Sequence, residues 1–284
     1  MAKDNKGKKA QPQYYLSRIN TQVLNYNVYV MNQTEKLLYT LVLFVIGGAV
    51  GLIFYGGLFS VNGVPTFATT ISNIVVFVVV GLLANKFFMP ILVESLRVKR
   101  IKKLRAQFCD FAASLTNSLG SGMNVRDSLL AVYNDLRSQY SDDAFIVIEV
   151  QEMINGMNNN FQIEEMLSDF GVRSGIPDII NFGIVFETCY RTGGDIKSIV
   201  RRTTEIISEK TIIAGEIETA ITSNKTQMSV MNVLPIFIIL MMRFMSPQFA
   251  QSFSTVLGVI GLTVAAVVFV FAYRMGQKIM DIKG

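Results

Sequence analysis

The sequence contains no histidine, only two cysteines, and only 17% charged residues in a chain of 284. Without histidine there can be no His-ligated zinc site, no Ser-His-Asp or Cys-His nucleophile system and no phosphohistidine relay. The commonest general base near neutral pH is also missing. Cys109 and Cys189 stand 80 residues apart with no Cys-x-x-Cys spacing, which reads as a reduced cytosolic pair rather than a disulfide framework. The charged share falls below the quarter that is ordinary for a soluble domain.

The position of the charges explains that shortfall. Residues 37–85 form a run of 49 without one Asp, Glu, Lys or Arg, and shorter uncharged runs occupy 226–242 and 244–273. A hydrocarbon core takes about 20 apolar residues per helix, so the first run has room for two spans. Four spans are expected, at about 37–59, 70–89, 228–245 and 253–273. The second should end at Pro90, and Pro235 falls inside the third. Turn-rich stretches, Val61-Asn62-Gly63-Val64-Pro65 and Ser246-Pro247-Gln248, join them into two hairpins.

Lysine and arginine sort with this pattern: six in 1–36, sixteen in 86–225, three in 274–284 and none in the turns 60–69 and 246–252. Under the positive-inside rule both termini and the middle segment are cytoplasmic. Arg243 is the exception, at the outer end of the third span, either snorkelling to the interface or contacting a translocated substrate. Gly47 and Gly51 have the small-xxx-small spacing of close helix contact. The expected layout is a tail at 1–36, a transmembrane hairpin at 37–90, a helical domain at 91–225, a second hairpin at 226–275 and a tail at 276–284. In the first tail, the basic cluster Lys3, Lys6, Lys8 and Lys9 precedes Leu16, Ile19, Val23, Tyr26 and Val30. Their 3,4 spacing suggests a short interfacial helix on the lipid bilayer, or a disordered tail.

The middle is helical in pattern. Ile101, Leu104, Phe108, Phe111, Leu115 and Leu119 form one apolar stripe. Gly120-Ser121-Gly122 breaks it, and Asn124 caps a second helix running to about Arg137. Ser141 with Asp142-Asp143 caps a third through Met157. A fourth spans 162–170 and closes at Gly171. Pro177 opens a fifth, and Asp195 caps a long sixth that passes without a breaker into the third span. Where the second span enters this domain, Arg97, Lys99, Arg100, Lys102, Lys103 and Arg105 form a basic segment suited to anionic lipid headgroups.

An offset of 71 aligns Phe111 with Phe182, Leu115 with Phe186 and Leu119 with Tyr190. The same offset sets Ser121-Gly122-x-Asn124-Val125-Arg126 on Thr192-Gly193-x-Asp195-Ile196-Lys197. The expected fold class is therefore all-α: a polytopic membrane protein with four transmembrane helices and a cytoplasmic up-and-down bundle of about six helices in two similar hairpin halves.

Chemistry-bearing patterns are scarce. No Gly-x4-Gly-Lys-[Ser/Thr] loop occurs. The acidic residues Asp142, Asp143, Glu149, Glu152, Glu164 and Glu165 match no cation-binding loop and suit solvated helix faces. Basic residues lack interleaved aromatics, which argues against nucleic-acid binding. No cofactor, metal or catalytic residue is expected.

The run Leu104, Phe108, Phe111, Leu115, Leu119, Ser121, Gly122, Met123, Asn124, Val125, Ser128, Leu129 resembles the first half of the type II secretion system F domain. The later Phe186, Tyr190, Thr192, Gly193, Gly194, Asp195, Ile196, Ile199, Val200, followed by a long helix and the Pro235 span, resembles its second half. One such domain between paired spans is most similar to the tight-adherence (Flp) pilus platform proteins, TadB/TadC-like.

That resemblance implies a non-enzymatic platform in the bacterial cytoplasmic (inner) membrane of a type IV pilus or type II secretion-like machine. It couples a cytoplasmic hexameric ATPase to pilin subunits entering the fibre, beside a second F-domain paralogue or a further copy of itself. It also implies a turn and cap role for Gly122, Asn124, Gly193, Gly194 and Asp195. The alternative is a MotA/ExbB-like proton-channel or stator subunit, which shares the layout but should line the last two spans with small and hydroxyl residues. Ser229, Thr255 and Thr263 offer few.

Overall fold

The computed structural model describes residues 12–16, 21–59, 66–246, 252 and 255–280. Among these the chain is almost wholly helical, with eight helices: α1 (Gln33–Tyr55), α2 (Phe67–Gly120), α3 (Val125–Gln139), α4 (Phe145–Asn158), α5 (Ile163–Ser174), α6 (Pro177–Thr192), α7 (Ile196–Met245) and α8 (Val256–Met280). One two-stranded antiparallel sheet, β1 (Tyr14–Leu16) and β2 (Gln22–Leu24), pairs Tyr14 with Leu24. Two compact units result: residues 1–30 with 93–213, and 31–92 with 214–284.

The first unit is built on the apolar stripe of α2. Leu104, Phe108, Phe111, Leu115 and Leu119 are all buried there, against Leu129, Val132 and Leu136 of α3, Ile146, Val150 and Met153 of α4, and Phe170 of α5. Phe182 of α6 lies edge-on to Phe108 at 5.3 Å between ring centroids, and Phe170 lies 6.2 Å from Phe108. Such offset and perpendicular ring pairs add about 0.5–1.5 kcal/mol each beyond their buried area.

Four expectations are corrected here. The helix of the second span does not stop at Pro90: α2 continues with the proline inside it to Gly120. Proline removes one intrahelical hydrogen bond and crowds the preceding turn, but the stripe from Leu104 to Leu119 gains more by continuing the helix into the core. Likewise Gly171 does not close the fourth domain helix. A Cβ there would stand 3.0 Å from the Ile180 Cα, and one at Gly183 would stand 3.2 Å from the Leu167 carbonyl oxygen. These glycines let the α5 and α6 backbones touch, and the helix ends at Gly175, in the left-handed region at φ +63°.

The third correction concerns Ser141. The N-cap of α4 is Ala144, without a side-chain bond, and the Ile146 N–H donates instead to Gln107 Oε1 of α2 at 3.3 Å. The fourth concerns the tail. Leu16 and Val23 lie on the strands of the small sheet, and Tyr26 is buried in the helical core, so no interfacial helix spans these positions. β-branched and aromatic residues suit extended backbone, and Asn25 and Asn27 supply the turn that follows. Ile19 and the Lys3–Lys9 cluster lie outside the described residues.

Four helices, which contribute all or part of their length to the second unit, are long and apolar enough to cross a membrane: α1, α2, α7 and α8, with mean hydropathy of 2.5, 2.3, 1.4 and 2.0 over their most apolar stretches. Between 0 and 17% of each stretch is buried, so apolar side chains such as Leu37, Ile46, Ile74, Val79, Phe237 and Phe271 face outward. Asn32 caps α1 in a capping box with Glu35. In the α1–α2 hairpin, Gly47 sits against Ala84, Gly48 against Phe77, Gly51 against Val80 and Gly81 against Phe44. The Gly47 and Gly51 spacing thus serves contact within the chain. The turns 60–65 and 247–251 lie outside the described residues.

Candidate functional site: two matched turns lining one concavity

The sequence repeat has a geometric counterpart. At the end of α2, Gly122 adopts φ +91°, and the Met123 N–H donates back to the Ser118 carbonyl at 3.3 Å. At the end of α6, Gly193 adopts φ +68°, and the Gly194 N–H donates back to the Cys189 carbonyl at 3.1 Å. These bonds join residue pairs that are themselves 71 apart. Each turn is a helix C-terminus closed by a left-handed glycine.

The correspondence continues into the next helices. Asn124 Oδ1 accepts from the Asp127 N–H at 2.8 Å, capping α3, and Asp195 Oδ1 accepts from the Ser198 N–H at 3.3 Å, capping α7. The Ser121 hydroxyl donates to the Asn117 carbonyl, and the Thr192 hydroxyl to that of Thr188. Substituting either cap should cost about 1 kcal/mol. Asp195→Ala is expected to lower the thermal midpoint of the detergent-purified chain by a few degrees, and Asn124→Ala similarly. Lost function at undiminished stability would make the carboxylate a partner contact instead.

The two turns lie side by side. Together they line a concavity of about 610 Å³, and each lining residue has its repeat mate in the same wall: Leu119 with Tyr190, Met123 with Gly194, Asn124 with Asp195, Val125 with Ile196, Arg126 with Lys197. Two adjoining recesses, on α2 and the start of α7, add Thr116, Gly120, Arg201, Arg202 and Glu205. Thr116 and Thr204 hydroxyls, 3.0 Å apart, hold α2 to α7 beside them.

The other site candidates are dispersed. Arg97 pairs with Glu94 at 2.6 Å, and Arg100 stacks over the Tyr29 ring and donates to the Val28 carbonyl. Lys103 lies over Phe145, Arg105 stands 3.7 Å from Asp178, and Lys99 and Lys102 remain exposed. Most of the basic segment is therefore engaged in intramolecular contacts. Pro235 lies within α7; the Arg243 side chain lies outside the described residues. The six acidic residues do not form one cluster: Asp142 pairs with Arg137, Glu149 with Arg173, Glu152 with Thr21, and Glu164 and Glu165 share Arg191. Among the described residues no three His, Cys, Asp or Glu side chains converge as metal ligands would.

A buried polar network escaped the sequence reading. Arg173 of α5 holds Glu149 of α4 through two bonds of 2.6 Å, and both side chains are 3% exposed. The Tyr26 hydroxyl donates to the same carboxylate at 2.9 Å. Burial and that carboxylate push the Tyr26 phenol well above its usual range. The available signal was Glu149 itself, set on the core face of α4 between Ile146 and Val150. Its partners, 24 and 123 positions away, carry no local spacing.

A second phenol offers a pH test. Burial, and then the Asp110 carboxylate that accepts a hydrogen bond from its hydroxyl, push Tyr140 up to about 12. An unfolded tyrosine ionises near 10, so this contribution is whole below about pH 10 and is lost as pH rises towards 12. The stability gap between wild type and Tyr140→Phe should narrow over that window, read as thermal midpoints in detergent.

No family model, curated protein or solved structure matches the chain.

Proposed function

We propose that the chain is a non-enzymatic membrane platform of a tight-adherence (Flp) or related type IV pilus, or of a type II secretion-like machine. The observation that carries this reading is the matched pair of turns. The residues on which the F-domain resemblance rests, Gly122, Asn124, Gly193 and Asp195, form two equivalent helix-turn-helix junctions around one concavity. That the two junctions share their hydrogen bonds and line one concavity supports reading the two halves as one repeated unit.

In this reading the four apolar helices lie in the bacterial cytoplasmic membrane. Lysine and arginine, concentrated in 1–36, 86–225 and 274–284, keep both termini and the helical unit in the cytoplasm. The helical unit is an up-and-down bundle of two similar halves. It receives a hexameric assembly ATPase and stands beside a second F-domain protein or a further copy. Both α2 and α7 contribute residues to both units, so displacement of the bundle has a helical backbone route to apolar helices that meet pilin. The energy comes from the partner.

Deleting the gene should abolish surface fibres or secretion while pilin synthesis continues, scored by electron microscopy and immunoblot. Normal fibres in the deletion strain would sink the reading.

A further inference from the structure

The helical segment 86–225 carries sixteen Lys and Arg against eighteen Asp and Glu, so its overall charge selects no partner. The charges at the matched turns are arranged differently. Arg126 donates to the Asn158 amide oxygen at 2.7 Å, a neutral group that leaves its charge uncompensated. Lys197 and Arg202 are exposed and have no ion-pair partner among the described residues.

The carboxylates nearby are already engaged. Asp195 accepts from the first turn of α7, where the helix dipole offsets its charge. Asp127 is held by the Asn124 amide, and Glu205 by Arg201 at 3.0 Å. What remains is a basic rim around an apolar floor of Leu119, Val125 and Ile196, with Met123 and Tyr190 43% and 42% exposed. Exposed apolar side chains within a charged rim are the anatomy of a docking surface.

We infer that this concavity receives an acidic, apolar-bearing segment of a partner protein: apolar side chains enter between the two turns while carboxylates meet Arg126 and Lys197 in its wall and Arg202 in the adjoining recess. The occupant is a protein segment because the buried or half-buried floor of Leu119, Val125 and Ile196 and the rim cations lie in one small site, where a single chain presents apolar and acidic side chains together. The inference deepens the platform reading and rests on it for the identity of the partner as a component of the assembly machine.

The test replaces Met123 with the photo-crosslinking residue p-benzoylphenylalanine in the full chain, expressed in its host. Ile148 on α4, 50% exposed, serves as a second crosslinking position for comparison. Crosslinked peptides are then sequenced by mass spectrometry. Position 123 should capture one defined segment rich in Asp, Glu and apolar residues, and position 148 should not. Arg126→Glu with Lys197→Glu should reduce that adduct about tenfold or more, as reversal of several rim charges predicts. Reversing the carboxylates of the captured segment to lysine should restore it.

The variant's thermal midpoint in detergent, and the milder Arg126→Gln with Lys197→Gln, guard against misfolding. Adducts to lipid only, to basic or uncharged peptides, or none at all, would overturn the inference. So would a yield unchanged by charge reversal in a folded variant. The two readings separate cleanly: an acidic adduct with normal fibres in the deletion strain retires the platform, whereas fibre loss without an acidic adduct retires only the docking surface.

Discussion

Arg173→Met is expected to cost about 3–5 kcal/mol, the usual result of removing one partner from a buried ion pair. The guanidinium is 3% exposed and meets both oxygens of Glu149 at 2.6 Å. Its Nε donates to Asp169 at 2.7 Å, and Nη1 reaches the Leu24 carbonyl at 3.4 Å. Bidentate, charge-assisted bonds of this kind hold a carboxylate in place where water cannot. Once the arginine is gone, the Glu149 carboxyl is left buried without its cation, keeping the Tyr26 hydroxyl as a hydrogen-bond donor. The thermal midpoint of the detergent-purified chain should fall on the order of 10 °C, given the size of the first unit.

The damage should have a definite place. Arg173 Nη1 reaches the Leu24 carbonyl, and the guanidinium fixes the Glu149 carboxylate that accepts from the Tyr26 hydroxyl, so residues 21–30 lose these side-chain anchors and keep only main-chain bonds such as Tyr26 N–H to the residue 173 carbonyl. Limited proteolysis should cut there earlier than in wild type. Converting Glu149 to methionine as well should recover much of the loss, since a hydrophobic pair leaves no stranded charge. If the double variant is no more stable than Arg173→Met alone, the stranded-charge account fails.

The helices of the first unit were legible because their signals are local. Asn124, Pro177 and Asp195 mark starts, glycines mark ends, and the α2 stripe repeats at helical spacing. The matched turns were legible for the same reason, since a repeat is a comparison of the sequence with itself. That they would face each other across one concavity was not, because proximity between residues 71 apart depends on how four intervening helices pack. Other misreadings share this origin. Pro90 has a local cost that a distant gain outweighs. Ser141 is displaced as a cap by Gln107, 39 positions from the amide it serves. The segment around Tyr26 keeps a helical spacing in sequence, yet its fate is decided by Phe145 and Phe170, which enclose the ring edge-on at 5.6 and 6.4 Å.

Gly81→Leu should be as informative for the second unit as Arg173→Met is for the first. A Cβ at residue 81 would stand 2.7 Å from Phe44 Cδ2 and 2.9 Å from the Phe44 carbonyl oxygen. The ring could rotate away, but the backbone oxygen cannot yield unless α1 moves. Moving α1 also separates Phe44 from Phe77, whose rings now meet edge-on at 5.4 Å, and draws Thr40 from the Asn85 amide that donates to its carbonyl at 3.0 Å. Within a bilayer, where lipid tails compete equally for apolar contact, close packing and such interhelical hydrogen bonds are what hold a hairpin together. The cost should be about 3 kcal/mol, the upper part of the usual range for overpacking. Gly48→Leu, aimed at the Phe77 ring, should do less, because that side chain has somewhere to turn. Gly215→Ala and Gly261→Ala face open space and should be neutral or stabilising by up to about 1 kcal/mol, the helix-propensity gain alone. Thermal midpoints of the four variants in one lipid nanodisc composition check the ranking. Equal losses at positions 81 and 215 would mean that helix propensity, rather than the close α1–α2 contact, governs this unit.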